Sequence, residues 1–143
     1  MSLLLRNVPR FPHALTHAVA LAAAAASETV VASNGGKVEV DLKWPNDLYS
    51  PQGKWGGILV EPLSAHQAIV GVGINLNTPP VENADQAITS LNMLGLNHLD
   101  RLMLIAELYT AIQQAAQWFE HGSYNLAERF NHHAIWLNQY VEF

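Results

Sequence analysis

Nineteen consecutive positions, "KWPNDLYSPQGKWGGILVE" from Lys43 to Glu61, hold two lysines, two tryptophans, an Asn-Asp pair and three glycines in an otherwise aliphatic chain. A lysine beside glycines can act as a point charge on a carboxylate or phosphate that approaches bare backbone. Lys54 is the candidate; an ordinary solvated turn lysine is the other reading, and spacing leaves both open. Asn46 and Asp47 follow Pro45, where Asx side chains commonly fold back on their own backbone to make a turn. The same pair can instead read polar ligand edges, orient a lysine or hold Mg²⁺.

A second glycine-bearing stretch is "IVGVGINLN". Read as a strand, it puts Val70, Val72, Ile74 and Leu76 on one face and Gly71, Gly73, Asn75 and Asn77 on the other. Glycine weakens a strand interior, so two on one face call for close approach of a ligand or of another backbone, such as a bend or a tightly packed helix. In "GGILVE", Gly57, Leu59 and Glu61 share a face, which gives an apolar wall beside backbone. The Gly-x-Gly is no dinucleotide fingerprint, because no helix opens after it and the third glycine is missing.

Trp44 and Trp55 read as core residues rather than ligand stackers. His121, His132 and His133 lack metal-ligand spacing, so no metal site is expected, and no Ser/His/Asp arrangement supports nucleophilic hydrolysis.

The elements that must carry these residues are legible by period. "MSLLLR" is strand-like. "HALTHAVALAAAAASETVV" predicts a helix from about Pro12 to about Val31, closed by the turn "SNGG". "KVEVDL" alternates as a half-exposed strand, "NDLYSPQGK" as a strand end and hairpin turn, and "GGILVEPL" and "HQAIVGVGINLN" as two further strands. From Thr78 to Asn97 the chain reads as loop. "LDRLMLIAELYTAIQQAAQWFEHG" then places Leu102, Ile105, Leu108, Tyr109, Ile112 and Phe119 at helical spacing. A shorter helix is predicted from about Ser123, its N-cap, to about Ile135, and "LNQYVEF" as a new strand. This order predicts an α+β fold, a mixed, largely antiparallel sheet packed by helices.

Half of the 143 residues are apolar, enough for one compact core. A net charge of −5 without a Lys/Arg cluster argues against nucleic-acid binding by this chain. The absence of cysteine fits a reducing cytoplasm. The alanine run from Ala18 to Ala26 is read as a buried helix and not as a membrane anchor.

Taken in order, "KWPNDLY", "KWGGILVE" and "GVGINLN" resemble the successive signatures of the biotin protein ligases. "SLLLR" resembles the strand before that family's long helix, and "ITSL" with the helix after it resembles later catalytic-domain segments. The resemblance implies a class II synthetase-like catalytic domain over residues 1–136, with 137–143 starting a C-terminal β-barrel domain. It also implies truncation at both ends. The family's Gly/Arg-rich loop precedes the strand matching Met1 to Arg6, so a poorly active fragment is expected, with an unpaired edge on the first strand that homodimerisation would cover.

The activity implied is ATP-dependent formation of biotinyl-5'-AMP, followed by transfer of biotin to a lysine of a biotin carboxyl carrier protein domain. By resemblance, Lys54 meets the biotin carboxylate and the α-phosphate. Gly57, Leu59 and Gly71 line the biotin pocket, Asn46, Asp47 and Asn75 lie nearest the nucleotide, and Mg²⁺ accompanies ATP. Trp55 departs from the small or branched apolar residue usual in the family and is expected to point away from the ligand. Two alternatives stand beside this reading: a non-catalytic remnant or assembly domain of the same fold, and a lipoate ligase-like protein, which the motif spacing disfavours.

Overall fold

A computed structural model describes residues 1–6, 12–77, 86–120, 125–135 and 137–138. Its elements are β1 (Ser2–Arg6), α1 (Pro12–Ser33), β2 (Asp41–Lys43), β3 (Asp47–Ser50), β4 (Gly53–Ser64), β5 (Gln67–Ile74), α2 (Arg101–Glu120) and α3 (Leu126–His133). The strands form one sheet in the order β1-β5-β4-β3-β2, every neighbouring pair antiparallel. The α+β expectation holds.

α1 is made of small residues because it lies in the core, against α2 and β4. Ala14–Ser33 is long and apolar enough to cross a membrane, yet 67% of its most apolar window is buried inside the fold, as in a core helix. Ser27, fully buried, satisfies its hydroxyl by donating to Ala23 O. The helix closes as the "SNGG" turn requires. Gly35 takes φ +74°, its N–H bonds Ala32 O, and Gly36 N–H bonds Val31 O, which satisfies two terminal carbonyls.

Three expectations need correction. "KVEVDL" is a ladder strand only at Asp41–Lys43. Val40 and Leu42 are buried as the alternation requires, but β3 turns at residues 51–52 and offers residues 37–39 nothing to pair with. In α2 the buried stripe is Leu104, Leu108, Ile112 and Ala115, whereas Leu102 is 77% exposed and Ile105 and Tyr109 also reach solvent. This stripe belongs to the core shared with alanine-rich α1, on which α2 packs. α2 is also capped by Asp100, whose Oδ1 accepts from Leu102 N–H and Met103 N–H. Trp44, expected in the core, is 67% exposed on the β2–β3 turn, while Trp55 is wholly buried. α3 begins after Asn125; Ser123 and most of "LNQYVEF" lie outside the described residues.

Candidate functional site

Strand register gathers the glycines. Asp47 pairs with Gly57 and Gly57 with Gly73, while Leu59 pairs with Gly71 and Gly71 with Ser2. Positions two apart share a face. Gly57, Gly73 and Gly71 therefore form a patch without side chains, bordered by Asp47 on one side and by the 57% exposed Leu59 within it. The opposite faces of β4 and β5 carry the buried Ile58, Val70 and Val72.

Packing does not account for these glycines. A methyl group at Gly71 would meet Leu59 O at 3.8 Å, and one at Gly73 would meet Gly57 O at 3.9 Å, both ordinary contacts. No helix lies on them among the described residues, which removes the packed-helix reading. Gly56 differs: a methyl there would sit 2.7 Å from Gly73 O, so the strands themselves require glycine.

Lys54 stands over the patch. Its Nζ is 2.7 Å from Asp47 Oδ1, and both lie 3.6 Å from where a Gly57 methyl would be. Its backbone is held as well: Lys54 N–H bonds Ala87 O and Lys54 O accepts from Thr89 N–H, through a parallel bridge to Ile88. Gly53 precedes it at φ +133°, where a side chain would meet Ala87 O at 2.6 Å. The lysine is thus an ion-paired, partly exposed cation and not a free turn residue.

Asn46 does not fold back on its own turn. Its Nδ2 donates to Ile58 O and its carbonyl accepts from Ile58 N–H, tying the β2–β3 turn to β4. Asn75 lies past the end of β5, where its N–H bonds Trp55 O and its Nδ2 bonds Thr89 O. An open groove of about 450 Å³ brings together Asn46, Asp47, Lys54, Gly57, Leu59 and Gly71. Asn75 is not among its lining residues.

Gly73 and Ser2 line the groove too, and only Gly73 had a signal, the period of its strand. The support from Ala87 and Thr89 had none, because a single long-range bridge leaves no periodicity. Lys43 is held by Gln86 Oε1 at 2.8 Å, 5.6 Å from the centre of the Tyr49 ring.

No group of three or more metal-ligating side chains occurs among the described residues. The carboxylate that lines the groove is that of Asp47, paired with Lys54. The groove thus offers a bare flat floor, one apolar wall, one fixed cation and one carboxylate, a set suited to a flat ligand with an anionic end.

Residues 1–75 match the biotin/lipoate A/B protein ligase family. Over 91 residues the chain is 40% identical to the bifunctional ligase/repressor BirA of Escherichia coli, covering 59% of this chain and 28% of that protein. It is 37% identical over 81 residues to the biotin--[acetyl-CoA-carboxylase] ligase of Mycobacterium tuberculosis, covering 56% of this chain and 30% of the relative. Among solved structures, the biotin protein ligase from Aquifex aeolicus in complex with biotin and ATP superposes with a TM-score of 0.78 at 26% identity, over 95% of this chain and 57% of that one. The chain spans less than a third of these two curated relatives and somewhat over half of the solved ligase.

Proposed function

Because the chain belongs to the biotin/lipoate A/B protein ligase family, we propose that it carries the catalytic core of a biotin protein ligase. Biotin lies on Gly57, Gly71 and Gly73 against Leu59, and its carboxylate faces Lys54. A biotin carboxylate oxygen attacks the α-phosphorus of ATP, the bond to the β-phosphate bridging oxygen breaks, and pyrophosphate leaves. The deprotonated amine of a carrier-domain lysine then attacks the acyl carbon of biotinyl-5'-AMP, and AMP leaves with the bonding pair.

In the first step two anions meet, so a cation fixed before the substrates arrive lowers the barrier. Lys54 supplies it. Mg²⁺, held by Asp47 and the phosphates, would neutralise further charge on the nucleotide, with Asn46 at its edge. Asn75 acts from behind, by tying the end of β5 to Thr89.

The observation that carries the reading is the floor of bare glycines beneath an ion-paired lysine, which no packing among the described residues requires. A cytoplasmic location, a biotin carboxyl carrier protein domain as acceptor and pairing of two copies along β1 belong to the same proposal.

The test is incubation with biotin, MgATP and an acceptor domain, read by mass spectrometry for biotinyl-AMP and modified acceptor, with Lys54→Ala alongside. Product lost in the variant supports the ligase. Biotin binding without product supports a non-catalytic remnant, and preference for lipoate over biotin supports a lipoate ligase.

A further inference from the structure

We propose that Trp55 is the positioning residue for Lys54: its indole fixes the β-bulge that turns the lysine from the buried face of β4 onto the glycine face. This rests on the ligase reading of Lys54 given above.

Alternation alone would misplace the lysine. Counting back from Gly57 on the open face, a regular strand puts Gly56 inward, Trp55 outward and Lys54 inward. The observed strand does otherwise. Trp55 and Gly56 are both buried in succession, and Lys54 reaches Asp47 on the open side. Register explains the change: Leu48 pairs with Gly56 but Tyr49 pairs with Lys54, so Trp55 is one extra residue in β4. A bulge of this kind re-aims the side chains beside it.

An extra residue interrupts the ladder, and Trp55 bridges the interruption on both sides. Its Nε1 donates to Tyr49 O at 2.9 Å, on the β3 residue that faces Lys54 in register. Its own carbonyl accepts from Asn75 N–H at 2.8 Å. The ring is 0% exposed, so one side chain fills core volume and supplies the buried donor. An aliphatic residue at position 55 could do only the first. The indole N–H thus lies in the core and not in the groove, yet it sits on the turn of backbone that presents the cation.

The experiment compares reductive methylation of Lys54 with that of Lys37 by peptide mass spectrometry. Four proteins are compared: the parent, Trp55→Phe, Asp47→Asn and the remote core variant Ile112→Val. In the parent, Lys54 is expected to react more slowly than in Asp47→Asn, by no more than about fivefold, since a half-exposed ion pair is weak. Trp55→Phe should raise the Lys54/Lys37 ratio toward that of Asp47→Asn, and Ile112→Val should leave it at the parent value although it also weakens the fold.

In the adenylation assay, Trp55→Phe should lower kcat by up to about tenfold, the worth of one hydrogen bond, with the KM for biotin within about twofold. An unchanged labelling ratio in Trp55→Phe overturns the proposal, as does a parent Lys54 no slower than in Asp47→Asn. If the phenylalanine variant does not fold, benzothienylalanine at position 55, which exchanges N–H for sulfur at the same ring size, is read by the same outcomes. Lack of biotinyl-AMP from the parent would count against the ligase reading alone, because the labelling comparison needs no turnover.

Discussion

Lys54 Nζ and Asp47 Oδ1 stand 2.7 Å apart over Gly57, a residue with no side chain to separate them from the sheet. The lysine is 30% exposed and the aspartate 16%, so the pair contributes no more than about 1 kcal/mol to stability. Its consequence is placement: the cation is held at the groove, and in the proposed adenylation little reorganisation would remain for it.

Lys54→Ala is therefore expected to separate stability from chemistry. Thermal unfolding should change little, whereas biotinyl-AMP formation should fall by about 100- to 1000-fold, as for loss of one transition-state contact. A loss of less than about tenfold, measured under saturating biotin and MgATP, would show that another group supplies the charge.

The glycines should divide into two kinds. Gly71→Ala meets only ordinary contacts in the sheet and replaces a flexible residue within a strand, so stability should hold or rise by about 0.5–1 kcal/mol. Biotin would then meet the new methyl, a misfit of about 1–3 kcal/mol and so roughly a 5- to 150-fold loss of affinity by calorimetry. Gly56→Ala, 2.7 Å from Gly73 O, should instead lower the melting temperature. If Gly71→Ala binds biotin like the parent, the floor of the groove is not its site.

Local patterns in the sequence were enough to read these glycine faces and the close of α1. The alternation of Val70 and Val72 with Gly71 and Gly73 reports directly which residues lie inward, and "SNGG" marks its turn by the one residue type at ease with φ +74°. What local pattern misses is a partner far along the chain. Nothing in "KVEVDL" tells that β3 stops after Ser50, and nothing in "ITSL" tells that Ala87 and Thr89 hold Lys54. The extra residue at Trp55 is likewise invisible, because a bulge is defined by the opposing strand.

The phase of α2 is open to a direct check. Leu104 is 3% exposed against the core and Leu102, two residues back and so on the opposite face of the helix, is 77% exposed. Leu104→Ala should cost about 2–5 kcal/mol, and Leu102→Ala should stay within about 0.5 kcal/mol, in urea unfolding. Equal losses would mean that the helix is rotated or that its outer face is covered.

Asp41, on the outer strand β2, gives a pH dependence whose sign can be worked out. Burial holds its carboxyl above the usual range, repulsion from Glu39 adds to this, and His133 opposes both. A carboxylate with a raised folded pKa binds its proton more tightly in the folded chain, so its ionisation disfavours folding. Its unfavourable effect is absent below the unfolded value of about pH 4, grows as pH rises through the folded pKa, and is complete above it. Asp41→Asn should accordingly melt higher than the parent at pH 7, and the difference should vanish below about pH 4, where both side chains are neutral. His133, whose Nδ1 is 3.1 Å from Val40 O beside this strand, limits the gain. A difference at pH 7 of the opposite sign would show that ionisation of Asp41 favours the fold.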